Sequence, residues 1–273
     1  VFNLVFKRIL DAHTHTDNSP DGHHSTMYLC ERAEIAGMRG ITFTDHVEID
    51  YYLRDHYDRV AVQSYFEIAK ARSAFTGKLL VCAGIELGQP MYDVETADKV
   101  VKSLRYDQVI GAVHNLRGMP DFSYLDYSEH DLDILLRDYF HELDLMVRWG
   151  NFDTLAHLTY PLRYITGEHK IDVSLTKYAG LIDEILSGLA EKGKALEINT
   201  SGLRQKLGKT MPGADIIRRF RQLGGEYVTI GSDAHWAEHI GAGISEGMKL
   251  AKHCGFSSVT LYQKREPILI PIE

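Results

Sequence analysis

The chain has 273 residues, 44% of them hydrophobic and 25% charged, and a formal net charge of −8. That is the composition of an ordinary globular protein, and the acidic balance without a Lys/Arg-rich run argues against nucleic acid as a partner. Cys30, Cys82 and Cys254 show no paired spacing, and no apolar run nears the roughly 20 residues of a bilayer span, so a soluble cytoplasmic protein with no membrane partner is expected.

The apolar start VFNLVFKRIL is short and lacks a small-residue cleavage site, so it is not read as a signal peptide. RILDAH (8–13) is the first β-type run, and a Pro-Asp-Gly turn crowded with histidine follows it. STMYLCERAEIAGMRG then puts Leu29, Ala33 and Ala36 on one helical face, with Ser25 or Thr26 as N-cap and Gly37 and Gly40 near the end. GITFTD (40–45), LLVCAGIE (79–86) and QVIGAVH (108–114) are further strands. In SEHDLDILLRDYFHELDLMVRWG, Leu132, Leu135, Leu136, Tyr139, Phe140 and Leu143 recur at helical spacing. TLAHL (154–158), ALEINT (195–200) and YVTIGSD (227–233) complete the strands, and SLTKYAGLIDEILSGLAEKG and GADIIRRFRQLG are helices that stop at Gly. Near-continuous apolar runs suit parallel strands covered on both faces, and β-then-α alternation implies right-handed crossovers. No linker or repeat interrupts the series, so residues 1–273 read as one α/β domain. A TIM-like barrel of about seven strands is expected, with an open doubly wound sheet as the alternative.

The strand ends carry the functional signal. They supply His13 and His15, Asp45 and His46, Glu86, His114, His157, and Asp233 with His235; the run ALEINT ends beside Asn199. In a parallel barrel these ends open on one face, where the active site lies. Neutral imidazole binds Zn, Fe or Mn, and a carboxylate can bridge two ions. In a strand, residues i and i+2 point the same way, so His13 and His15 can grip one ion with Thr14 turned away, and Asp233 and His235 repeat the arrangement. Asp11 and Asp45 are candidates for orienting a neighbouring ligand; an ordinary polar strand end is an equal reading of Asp45.

The series HTH…D…TDH…E…H…H…SDAH resembles the PHP (polymerase and histidinol phosphatase) family over residues 9 to 262. The resemblance implies a distorted seven-stranded (β/α) barrel with three divalent ions, Zn, Mn or Fe, at the strand C-termini. Position by position, it implies a first ion on His13, His15, Glu86 and Asp233. A second would take a bridging Glu86 with His114 and His157, and a third Asp21, His46 and His235. His23 and His24 match no ligand position. LEINTSGLR (196–204) and AHLTYPLRY (156–164) further resemble the histidinol-phosphatase branch. They present Arg204 and Arg163, whose planar forks suit a phosphate dianion; Asn115 and Arg117 beside His114 are weaker candidates. The implied activity is hydrolysis of L-histidinol phosphate by a metal-bridging hydroxide held by Glu86, with Asp233 and His235 nearby. Glu48, Asp50, Tyr51, Asp121 and Asp126 are candidates for an outer pocket that receives the cationic leaving group, with solvated loop residues as the plainer reading. The alternatives are a PHP phosphoesterase for a nucleotide or other small phosphate ester, and a metal-dependent amidohydrolase. The latter commonly places a lysine where this chain has Glu86. A non-enzymatic scaffold would be expected to lack ligands, and none of the nine positions is substituted.

Overall fold

The computed structural model describes residues 10–272. The apolar start, and the first two residues of the run read as 8–13, lie outside the described residues. β1 (Leu10–Thr14), β2 (Gly40–Phe43), β4 (Leu80–Gly88), β5 (Gln108–Ala112), β6 (Thr154–Leu155), β7 (Ala195–Asn199) and β8 (Val228–Gly231) form one parallel series in that order, and β3 (His46–Glu48) continues alongside β4. Beyond β8 the chain returns to β1. Thr14 bridges Ala234, His15 N–H donates to the Ala234 carbonyl at 2.9 Å, and Asp233 N–H donates to the His13 carbonyl at 2.9 Å. The result is a nearly closed seven-stranded parallel barrel.

The helices α1 (Thr26–Ile35), α2 (Tyr57–Ala74), α3 (Val94–Ser103), α4 (Leu132–Trp149), α5 (Ala179–Glu191), the single turn α6 (Ser201–Arg204), α7 (Ala214–Gln222) and α8 (Ile244–His253) connect the strands. The caps follow ordinary chemistry. Ser25 accepts from the Tyr28 amide at the start of α1, Asp131 accepts from the Asp133 and Ile134 amides at the start of α4, and Gly150 ends α4 at φ 71°. The buried face of α4 is Leu135, Leu136, Tyr139, Phe140, Leu143, Met146 and Val147, each large side chain contributing about 1.5–3 kcal/mol.

Two features were not anticipated. β3 has only three residues, too short to show a period. A C-terminal antiparallel hairpin, β9 (Ser258–Gln263) with β10 (Glu266–Pro271), caps the N-terminal ends of β5 and β6. At its turn Arg265 N–H donates to the Asp107 carbonyl at 2.8 Å, and the Arg265 guanidinium reaches the buried Asp153 carboxylate at 2.9 Å. The opposite end of the barrel is therefore the one left open. Among the described residues no helix is long and apolar enough to cross a membrane.

Candidate metal centre

At the open end, β1 ends with His13 pointing into the barrel. Thr14 turns away to donate to the Thr42 carbonyl at 2.9 Å, and His15 returns to the interior. His13 Nε2 and His15 Nε2 lie 3.0 Å apart. Glu86 Oε2, on β4, is 3.2 Å from the first and 3.5 Å from the second; Asp233 Oδ1 is 3.8 Å and 3.4 Å from the same two atoms. The other Glu86 oxygen is 3.2 Å from His114 Nε2 and 2.8 Å from His157 Nε2. β5 stops two residues before His114, and His157 lies on the loop after β6. Asp21 reaches over from the first loop, with Oδ2 3.0 Å from His235 Nε2 and Oδ1 3.7 Å from His46 Nε2. The other eight anticipated ligands thus gather around one carboxylate, Glu86: five histidines reach it directly, and Asp233, Asp21 and His235 contact those histidines. One expectation needs correction: Asp233 and His235 do not repeat a strand geometry. β8 ends at Gly231, and Asp233 sits in a left-handed turn at φ 54°. The turn is held because buried Asp11 accepts from the Ser232 amide (2.8 Å), the Ser232 hydroxyl and the Gly241 amide (2.9 Å).

The surrounding hydrogen bonds settle which ring nitrogens face inward. His13 Nδ1 donates to Glu197 Oε1 at 2.6 Å, His15 Nδ1 to Ser19 Oγ at 3.1 Å, and His114 Nδ1 to Glu48 Oε1 at 3.0 Å. With Nδ1 committed to these bonds, the three Nε2 atoms face one another and the carboxylate oxygens, an arrangement suited to holding a cation between them. Two ligand atoms on one tetrahedral ion with bonds of about 2.0–2.2 Å sit about 3.3–3.6 Å apart, close to the spacings found. His235 Nε2 and His46 Nδ1 are buried without an aligned hydrogen bond. The donor set and its spacing fit divalent ions.

Charge tells the same story. Burial, with His235 and His46 beside it, pushes His15 down to about 3, so it stays neutral. Burial also opposes charge on His46, but Glu86, Glu48 and Asp21 outweigh it and hold His46 at about 9. Glu86 and Asp233 are held well below the usual carboxylate range despite burial, because His13 and its neighbours favour the charged forms.

Several supporting residues escaped the sequence reading. Glu197 anchors His13 and accepts from the His157 amide at 2.7 Å. It is a charged residue in an otherwise apolar strand, two positions before Asn199, and that lone charge was the available signal. Gly231 leaves it room, since a Cβ there would meet His13 Cβ at 2.4 Å and Glu197 Oε1 at 2.5 Å. Asp45, by contrast, was a candidate for orienting a ligand, and it accepts from Thr16 N, Thr16 Oγ1, Ser19 Oγ and Ser64 Oγ, steadying the serine that orients His15. Glu48 lines the cavity, but its carboxylate is taken up by neighbouring side chains. It turns inward on β3 between His46 Nδ1 (3.1 Å) and His114 Nδ1, and Gln89 Nε2 donates to it at 2.7 Å. Asp50 is engaged by Asn115 Nδ2 at 3.0 Å, whereas Arg117 turns away to the Met91 carbonyl and the Tyr92 ring.

The ligands open into a cavity of about 680 Å³ that Tyr51, Asp121, Tyr160, Arg163 and Arg204 also line. Asp126 is not among its lining residues and instead caps the turn at Ser128. Arg163 Nη1 lies 3.8 Å from Asp233 Oδ2. Arg204 donates to the Ser232 carbonyl at 2.6 Å and the Asp233 carbonyl at 2.8 Å. Tyr160 packs its ring on His157 and directs its hydroxyl to Asp121 at 3.2 Å.

Residues 11–201 match the PHP domain family model. The chain belongs to the PHP family. This PHP chain is 32% identical over 257 residues to a Thermotoga maritima protein named "Probable histidinol-phosphatase", covering 94% of this chain and 97% of that one. It is 29% identical over 261 residues to a Clostridium acetobutylicum protein of the same name, covering 94% and 98%. The fold is also that of the Lactococcus lactis histidinol phosphate phosphatase, solved with Zn, L-histidinol and phosphate: TM-score 0.83, 24% identity, 96% of this chain and 99% of that chain.

Proposed function

We propose that this chain is a divalent-metal-dependent phosphomonoesterase that hydrolyses L-histidinol phosphate to L-histidinol and phosphate, a step of histidine biosynthesis. The observation that carries the reading is the convergence of nine ligand-type side chains, seven of which line one cavity together with two guanidinium groups. The histidinol-phosphatase relatives matched along nearly the full length supply the substrate.

Three ions, Zn, Mn or Fe, would be held by His13, His15, Glu86 and Asp233; by Glu86, His114 and His157; and by Asp21, His46 and His235. Bound ions supply Lewis acidity, neutralising phosphate charge and making water acidic enough to be a nucleophile near neutral pH. The protein's own residues do the rest. Glu197, Ser19 and Glu48 hold the imidazole rings so that each presents Nε2 inward. Arg163 and Arg204 present cationic N–H donors at the rim, where phosphoryl oxygens would sit, and they stabilise the charge that grows there. Arg204 is already fixed by two backbone carbonyls and needs little further ordering. The leaving half would lie against Tyr51, Asp121 and Tyr160, a wall with both acidic and aromatic character suited to an amine and an imidazole.

Phosphate release from L-histidinol phosphate, measured beside a panel of nucleotides and sugar phosphates with Zn, Mn or Fe supplied, tests the proposal. A strong preference for histidinol phosphate that a chelator abolishes supports it. Turnover of other monoesters alone would overturn the substrate assignment.

A further inference from the structure

His23 and His24 belong to none of the three ligand sets, yet both are engaged. The His23 ring stacks on the Trp236 indole with centroids 3.5 Å apart and planes at 25°. The His24 ring meets the same indole edge-on at 5.9 Å and packs against Tyr28 at 5.2 Å. Trp236 remains 45% exposed, so the contact is no by-product of core packing. Each stacking residue adjoins a ligand of the outermost cation position, His23 lying two residues after Asp21 and Trp236 directly after His235.

Asp21 needs such help. Its side chain is 60% exposed, and its loop has no regular secondary structure. The loop is folded on itself by Asp17 N–H to the His24 carbonyl (2.9 Å) and Gly22 N–H to the Ser19 carbonyl (3.1 Å). A Cβ at Gly22 would fall 1.7 Å from the Thr16 carbonyl oxygen. One backbone bond joins this loop to its neighbour, His23 N–H to the His235 carbonyl at 3.2 Å. Beside that bond and the Asp21–His235 contact itself, the ring stack, with His24 edge-on, is the aromatic contact that fastens DGHH to DAHW. We propose that the Trp236–His23 stack is a latch that holds Asp21 against His235 and so positions the outermost of the three cations. Trp236 and His23 are positioning residues, and the inference rests on the three-ion reading above.

The test is metal content and not turnover. Wild-type protein and the variants Trp236→Ala, His23→Ala and His23→Phe are stripped with chelator, reloaded with Zn, gel-filtered and assayed for Zn per chain, with circular dichroism confirming the fold. Wild type is expected to retain three ions. Trp236→Ala and His23→Ala are expected to bind the weakest one about 3- to 10-fold less tightly, the worth of one aromatic pair. His23→Phe keeps the stack and is expected to restore wild-type loading. A Trp149→Phe background leaves Trp236 as the single indole, and its emission is expected to change with the third equivalent of Zn. Wild-type affinity in Trp236→Ala would overturn the latch. Loss of the ion in His23→Phe as in His23→Ala would overturn it differently, making His23 a ligand. A wild type that stops at two ions would instead remove the three-ion reading, and the latch with it. Should Trp236→Ala fail to fold, the His23 pair decides alone.

Discussion

Glu197 reaches His13 Nδ1 with one oxygen and the His157 backbone amide with the other, so a single carboxylate braces the ring of one candidate ligand and the backbone of another. Glu197→Gln keeps the shape and removes the charge. Metal affinity is expected to fall about 10- to 100-fold, as read in a metal-buffered titration; unchanged affinity would show that His13 is held by packing alone. The two arginines separate in a similar way. The Arg163 guanidinium is held loosely, by Asp233 at 3.8 Å and over the Tyr164 ring at 5.6 Å, so Arg163→Ala is expected to lower kcat/KM about 100-fold or more with metal content and Tm unchanged. Arg204 also ties down two carbonyls, so Arg204→Ala is expected to lose activity and about 1–3 kcal/mol of stability, measured by urea unfolding. His46 is one source of pH dependence, beside His13 and His114, whose pKa values, despite burial, their carboxylate neighbours also raise. Its folded-state value of about 9 lies above the ordinary 6.5. In the metal-free protein its contribution to stability is therefore fully present below 6.5 and is lost as pH rises toward 9. An arriving ion must displace that proton, so metal loading is expected to release protons and to strengthen between pH 6.5 and 9. Calorimetry at pH 7 in buffers of different ionisation enthalpy checks this; a heat that is independent of buffer would contradict it.

All seven barrel strands were readable from the sequence because parallel strands covered on both faces appear as apolar runs. The position of the ligands followed from where those runs stop. What could not be read was set by backbone conformation rather than by side-chain pattern. The hairpin β9–β10 turns on Lys264 and Arg265, at φ 54° and 66°, where an Asn-Gly pair would have announced it. Asp233 was placed on a strand because SDAH alternates, but its positive φ is enforced by Asp11, a contact some 220 residues away in sequence. The contacts of Glu48 with His46 and His114 were not readable because a three-residue strand leaves no period to read. The hairpin carries its own prediction. Arg265→Ala strips the cation from buried Asp153 and is expected to destabilise the fold by about 1–3 kcal/mol, seen as a lower urea midpoint. With the site at the other end of the barrel, KM for the phosphate ester is expected to stay put.

The barrel closes where β1 meets the segment after β8, and the same junction supplies His13, His15, Asp233 and His235. Ions placed there would fasten the seam as well as serve the chemistry. Removing them with a chelator is expected to lower Tm and cost about 3 kcal/mol or more at metal concentrations 100-fold above Kd. Scanning calorimetry of loaded and stripped protein measures it, and coincident transitions would mean that the seam holds without metal. That seam also has a history. His13 and His235 are separated by about 220 residues, and synthesis at about 5–20 residues per second puts roughly 10–45 s between their appearances. Throughout that interval a nascent chain displays a bare His-Thr-His pair that could seize any thiophilic or imidazole-loving ion in passing, yet the carboxylate that completes the set has not been made. Correct loading must wait for the finished barrel, and the ion that occupies it is then chosen by what the surroundings hold at that moment, because a set of imidazoles and carboxylates accommodates Zn, Mn or Fe and availability can override their order of affinity.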